Sequence, residues 1–518
     1  TNGHLLPNTV GAVNIGSASA EIGHIYVADS KTIWIGSDQD LRIAHDPTHT
    51  VSYIQNTGPF QIQTDDLRLY NYSTADLYLR AQTNAAVQLF YDYSNHTTPK
   101  LETSATGITV DGEVAASQDF PITKPVLDFN FAAVKKLDPR ITYQRTGPAS
   151  FTDEFGKVVL VGDNAPRFDH DLTTRESKGL LFEESRTNFM KYSDEFAIPS
   201  GQTGGNWDSI GGSSDYTRVS DTTETKDPTG TNHASKLTFN SGNATLRGYW
   251  YSGAANGAVT KTYSVYLKRA TSNTTTIVID IGDTSNTTYT LTDEWKRFSV
   301  TTSSAGNGNF VDMTLTTGAS TPYYAWGAQI EAGAFPTSYI PTGSAAVTRG
   351  ADIALIDGEE FSEFYNPFES TILVDYTHQD GATISNMGPN ARPYKFRAVG
   401  GADTRIDYVS TAAYHPYIAK DGSAVASLAH GSNPVLDGGV NRSAVRVKEN
   451  SFAVSCNGSA VSGNALDTSG AWPPDNTITE VSLGGGFGSI SNQLSGHIQR
   501  FTYYPVGLPN SQLVTLTS

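Results

Sequence analysis

Almost nothing in this chain repeats every three or four residues. Apolar and polar residues alternate instead in short runs, and Gly, Asn, Asp or Pro breaks each run. That is the period of a pleated strand, whose successive side chains point to opposite faces. With 48 Gly and 23 Pro, turn-forming residues are plentiful. The best helical candidate is Phe131–Leu137, about two turns around Ala132-Ala-Val-Lys-Lys136. The pattern predicts an all-β chain, and 518 residues predict about three or four domains.

Charge narrows the partners. Lys and Arg total 35 against 52 Asp and Glu, a net charge of −17. Without a basic run, such a chain is a poor duplex binder, so no nucleic-acid partner is expected. No stretch approaches the ~18 apolar residues of a membrane helix, so no membrane insertion is expected. Thr1 to Val10 lack the basic end and apolar run of a signal peptide. Charged residues are only 17%, so the polarity comes from Thr, Ser, Asn, Gln and Gly, while 10% aromatics argue against disorder. The single cysteine, Cys456, excludes an intrachain disulfide and thiolate zinc clusters.

Four regions follow from the punctuation. Residues 1–115 read as many short strands, among them Gly23–Ala28, Thr32–Gly36, Leu41–Ala44, Val51–Ile54, Phe60–Gln63, Leu67–Tyr70, Leu77–Arg80 and Val87–Tyr91. Each offers two or three inward side chains, too few for a private core, so this region fits either a sandwich or a shaft wrapped by several chains. Residues 116–200 carry charge clusters and read as a connecting region, or as the first strands of the last sandwich. Residues 201–349 and 350–518 each read as a β-sandwich, with runs such as Lys261–Lys268 and Thr371–Tyr376.

No catalytic constellation emerges: there is no phosphate loop, dinucleotide fingerprint or His-Glu-X-X-His pair. Cys456, in a strand pattern, reads as an inert buried thiol. His170, inside Phe168-Asp-His-Asp171, could orient a base or ligate a metal. Strand neighbours face opposite ways, however, so the bland reading is a structural turn. No cofactor is expected. A structural calcium is allowed by acidic loops such as Asp280 to Asp283, though Asp in a turn is the commoner meaning. With 52 acids a glycosidase pair is neither excluded nor located.

Sugar recognition asks for aromatic faces with polar neighbours. The run Arg247-Gly-Tyr-Trp-Tyr251 cannot send three successive rings into one core, so Arg247, Tyr249, Trp250 and Tyr251 are glycan-binding candidates. Trp207, in a Gly-rich stretch, and Trp472, before Pro473-Pro474, are further candidates, whereas Trp295 and Trp326 read as core.

Longer stretches carry a resemblance. Gly23–Val27, Ile33–Asp46, Val87–Asp92, Lys100–Thr103 and Gly107–Gly112 resemble the repetitive β shafts of bacteriophage tail fibres. Leu137–Tyr143, Pro166–Asp171 and Gly179–Asn188 are similar to the connector that precedes a carbohydrate-binding-like jelly-roll sandwich in phage tail proteins. Trp295–Ser299, Ala325–Glu331, Thr337–Thr342 and Thr348–Asp352 are similar to the close of that sandwich. Gly496–Pro505 and Leu508–Leu513 resemble the final strands of a concanavalin A/laminin-G-like sandwich.

The resemblance implies an elongated homotrimeric β shaft followed by two sandwiches. It implies a virion tail fibre that attaches to a host surface glycan and is assembled in the bacterial cytoplasm, which suits a chain without disulfides. Other phage tail proteins would be its partners at the N-terminal end, through a very short segment or a separate anchor. It carries over no catalytic residue, and it makes the Asp169–Asp171 and Glu183–Arg186 clusters structural. The rivals are a depolymerase that cuts its polysaccharide and a purely structural fibre.

Overall fold

A computed structural model describes residue 17 and residues 19–518, apart from 36–40, 92–97, 106, 112–123, 197–206, 211–215, 241–243, 251–258, 284, 304–308, 318–319, 380–381, 383–390, 399–403, 410–414, 421, 430–438, 473–477 and 486–492. The chain divides into two units, residues 1–117 and 118–518. All pairing between the described strands is antiparallel.

In the first unit the alternating runs form two meanders. Thr32–Ile35, Leu41–Asp46 and Val51–Asn56 make a three-stranded sheet. Asp66–Tyr70, Leu77–Gln82, Val87–Leu89, Leu101–Ser104 and Gly107–Val110 make a five-stranded one. The stretches 23–28 and 60–63, expected as strands, carry no strand. Among the described large hydrophobics of this unit only Leu77 is fully buried, whereas Tyr26, Ile54, Ile62 and Ile108 are exposed.

In the second unit the middle sandwich is inserted into the last one. Its two sheets interleave in sequence. One runs Trp207–Ile210, Thr245–Tyr249, Phe310–Leu315, Thr276–Ile281 and Ser285–Thr290. The other runs Tyr216–Val219, Ser235–Phe239, Tyr323–Ala332, Lys261–Arg269 and Lys296–Thr302. Between them lie Leu237, Tyr263, Val265, Ile279, Met313 and Ile330. The threonine-rich composition finds a use on the outer faces. Thr245 and Thr314 sit opposite each other with hydroxyls 2.7 Å apart, and Thr262 and Thr301 repeat the arrangement at 2.8 Å. Such cross-strand pairs stabilise a sheet by roughly 0.2–1 kcal/mol each.

Residues 116–200 are more than a connector. Leu127–Asn130 and Ser177–Phe182 both pair with Gly496–Tyr504, and Thr142–Gln144 pairs with Ile353–Asp357. Leu127, Phe129, Phe168, Leu180 and Phe182 therefore enter the core of the last sandwich, beside Ile372, Tyr394, Phe396 and Phe501. That sandwich stacks an eight-stranded sheet on a seven-stranded one. The expected helix at Phe131–Leu137 is absent. Asn130 accepts the Ala133 N–H through its side chain and the chain turns, because Phe131 is needed in the core.

A buried ionic network joins the two sandwiches. Arg167 bridges Glu183 and Asp352, at 2.5 Å each, and Arg349 reaches Glu183 at 3.0 Å. These four side chains have no solvent exposure. Burial pushes the Glu183 carboxyl up, but Arg349, Arg167 and Ser338 outweigh it and hold it well below the usual carboxylate range. The structural role expected for Glu183 is met, while Arg186 pairs with its neighbour Glu184.

Candidate functional site

The predicted aromatic patch does not assemble. Trp207 and Trp250 lie inside the middle sandwich, and Trp472 lies inside the last one, each about 1% exposed. The reason is pairing register. Trp207 sits opposite Gly248, and a Cβ added there would lie 2.8 Å from the Trp207 ring, so the glycine makes room for an inward indole. The Gly-rich stretch before it suggests a loop, but Trp207 opens a strand. Trp326 is core as expected, whereas Trp295 is half-buried beside its strand and donates to the Lys226 carbonyl at 2.7 Å.

Arg247 and Tyr249 do share the outward face of their strand. Arg247 is already committed: its guanidinium makes two 2.6 Å bonds to Asp312 and lies 3.5 Å over the Phe310 ring. Tyr251 lies outside the described residues. Asp280, the proposed calcium loop, accepts the Asp283 N–H at 2.8 Å as an ordinary turn. Among the described residues no three His, Cys, Asp or Glu side chains converge to hold a metal. Cys456 is buried in the last core, which pushes its thiol up to about 11.

The better-formed site is a cleft of about 400 Å³ in the second unit. Ala149–Thr152, Phe168–His170 and the residues just after them form one wall. The strand Lys296–Thr302 and the stretch 336–339 form another, and Gln379 and His497 close it. The register of Phe168–His170 against Ser177–Phe182 shifts between Asp169 and His170. This bulge lets Asp169, His170 and Asp171 all line one cleft, which regular alternation forbids.

Most polar groups there are held. Asp169 accepts the Thr152 N–H at 2.7 Å and pairs with His497 Nε2 at 2.8 Å. Thr377 contacts the other His497 nitrogen at 3.3 Å. His170 Nδ1 lies 3.2 Å from the Thr152 carbonyl oxygen, which fixes the proton there and leaves Nε2 an acceptor in the neutral ring. Arg297 donates to the Thr337 carbonyl at 2.5 Å and to Ser264 Oγ at 2.9 Å, with its guanidinium 5.4 Å over the Tyr266 ring. Gln379 donates to Glu183 at 2.7 Å, and its own oxygen is buried with no hydrogen-bond partner among the described residues. The cleft thus leans on the ionic network between the sandwiches.

The Thr174 N–H, then the Thr173 N–H and Lys178, hold the Asp171 carboxyl below its ordinary range against the opposing pull of burial. A general acid needs the opposite shift, so Asp171 is unsuited to protonating a leaving group. What the cleft offers is a dense set of fixed donors and acceptors beside tyrosine rings, the equipment for recognising a polyhydroxylated ligand. Reasoning from local sequence finds Asp169, His170 and Asp171 but misses Lys178, Lys296, Arg297, Gln379 and His497. The Trp295-Lys-Arg-Phe-Ser299 stretch stands out only as a pattern closing a sandwich.

No family model matches the chain, and no curated protein matches it. Solved structures are similar in part. A carbohydrate-binding module of the Ruminococcus gnavus sialidase, bound to sialyllactose, is 19% identical over 29% of this chain and 83% of that one, with TM-score 0.24. A Clostridium thermocellum xylanase fragment with xylohexaose is 15% identical over 31% and 30%, with TM-score 0.19. Mouse laminin α1 domains LG4-5 are 11% identical over 49% and 83%, with TM-score 0.19. Scores this low decide nothing about the ligand.

Proposed function

We propose that this chain is a glycan-binding attachment fibre, in which copies of residues 1–115 associate as a trimeric shaft and the second unit holds a host surface glycan. The observation that carries the reading is the apolar surface of the first unit. Of the 29 exposed large hydrophobics among the described residues, 21 fall between Ile22 and Val110, against one buried there. A lone chain gains little from such residues, whereas covering a Val, Leu, Ile or Phe side chain yields about 1.5–3 kcal/mol. Other copies of the same meander are the natural cover. Three copies also turn weak glycan sites into firm attachment through effective concentration. The phage tail fibre resemblance of Ile33–Asp46 and Gly107–Gly112 points the same way.

This reading takes the chain as a binder rather than a depolymerase, and the lowered Asp171 carboxyl supports it only in that this one group is a poor general acid. The test combines purified full chain with cells of the phage's host. A trimer that coats the cells and competes with virion adsorption is expected, without release of reducing ends. Sustained sugar release, abolished by a single carboxylate substitution, would replace the binder with a depolymerase. A trimer that never touches cells would leave only a structural fibre.

A further inference from the structure

We infer that copies of this chain meet through one particular face of each sheet in the first unit, the face that carries its aliphatic row, while the opposite face stays in water. The inference rests on the trimeric-shaft reading above and names the surface through which the copies join.

Pairing register carries it. In the five-stranded sheet Leu69, Leu79, Leu89, Leu101 and Val110 stand opposite one another in turn, one from each strand. Directly opposed residues share a face, and the next residue along each strand points the other way. The neighbouring row, Arg68, Arg80, Gln88, Glu102 and Thr109, therefore lies on the other face. That polar face is satisfied from within: Asp66 pairs with both Arg68 and Arg80, and Gln88 donates to Glu102 at 2.8 Å. The aliphatic face has no such cover. Leu69, Leu89 and Val110 are exposed in the single chain, and so is Ile108 beside them. The three-stranded sheet repeats the division. Ile33, Ile43 and Ile54 form one row, all exposed. Trp34, Arg42 and Gln55 form the other, where Arg42 donates to Gln55 at 2.8 Å and lies 4.7 Å over the Tyr53 ring.

A second copy fits the aliphatic faces for two reasons. The five strands place no charged side chain on theirs, so a chain of net charge −17 meets itself there without bringing like charges together. A row of leucines and valine also offers no charge or hydrogen bond by which a different partner would be selected, whereas it is complementary to its own copy. Exposed rows of this length are what a sheet covers by association.

The experiment uses the full chain and thiol accessibility. Ile54→Cys and Ile108→Cys probe the aliphatic faces, and Gln55→Cys and Thr109→Cys probe the polar faces one residue along the same strands. All four positions are exposed in the single chain. In the assembled chain at pH 8, iodoacetate should modify the first pair at least tenfold more slowly than the second, and all four alike in urea. Cys456, buried in the last core, is a constant background. A first-pair variant that falls to the single-chain mass with its strands intact by circular dichroism supports the same face, provided its polar-face neighbour still assembles. Equal rates on the two faces of an assembled chain, or slower reaction of the second pair, overturns this surface and leaves the attachment fibre standing. A wild-type chain at the single-chain mass overturns both this surface and the trimeric shaft.

Discussion

Replacing Glu183 by Gln should cost the second unit about 3–5 kcal/mol, and the structure says why. The carboxylate has no solvent exposure and accepts from Arg167 at 2.5 Å, Ser338 N and Oγ at 2.6 Å each, and Gln379 at 2.7 Å, with Arg349 at 3.0 Å. Gln keeps the shape but turns one oxygen into a donor that faces donors, and it takes away Arg349's carboxylate partner while Asp352 already serves Arg167 and Arg145. Breaking a buried ion pair by removing one partner costs about 3–5 kcal/mol. For about 400 residues, an unfolding entropy of about 2.1 cal/mol/K per residue gives about 0.8 kcal/mol/K, so the melting point should fall by about 4–6 °C. Scanning calorimetry of the full chain reads this directly. The pH dependence fixes the cause. The Glu183 carboxyl is depressed in the folded state, so its contribution is complete above the unfolded value of about 4.3 and fades as pH falls towards the lower folded value. The gap between wild type and variant should be flat from pH 7 to about 5 and shrink below that. A shift under about 1 °C at pH 7, or a gap that widens in acid, would refute the reasoning.

Gly248→Ala should destabilise the middle sandwich by about 1–3 kcal/mol in urea unfolding, because the new methyl would lie 2.8 Å from the Trp207 ring and 3.1 Å from Met190 Cε. Asp375 is pushed up to about 6 by burial, against Arg442 and Arg500, so its charge opposes folding. Wild type should therefore lose stability relative to Asp375→Asn as pH rises from about 4 through 6, by about 2 kcal/mol in melts across that range. Cys456, pushed up to about 11, should resist iodoacetamide at pH 8 in the folded chain and react once urea unfolds it. In the first unit, Ile54→Glu should lower the assembled mass seen in sedimentation, since Ile54 is 59% exposed in the single chain.

How much of this is legible before folding depends on distance along the chain. Strand identity is local, so alternation marks Lys261–Arg269 to within one residue and finds the inner six residues of Glu369–His378. The pairing of Leu127–Asn130 and Ser177–Phe182 with Gly496–Tyr504 is not local, and no nearby residue announces it. The tryptophans mislead for a related reason. Whether Trp207 points inward depends on Gly248 across the sheet, not on the glycines beside it in sequence. The cleft is the extreme case. Asp169, Lys296, Gln379 and His497 belong to four separate segments, gathered only because one sandwich is inserted in another. Even the local signal, Phe168-Asp-His-Asp171, is masked by its bulge, which breaks the alternation from which side-chain direction is read.

The most direct test is the mass of the purified full chain in solution by light scattering. Self-association through the first unit predicts three times the 55.5 kDa chain mass, with slow sedimentation for that mass. A folded, stable species at the single-chain mass would contradict it, because the apolar surface from Ile22 to Val110 would then stand uncovered in water.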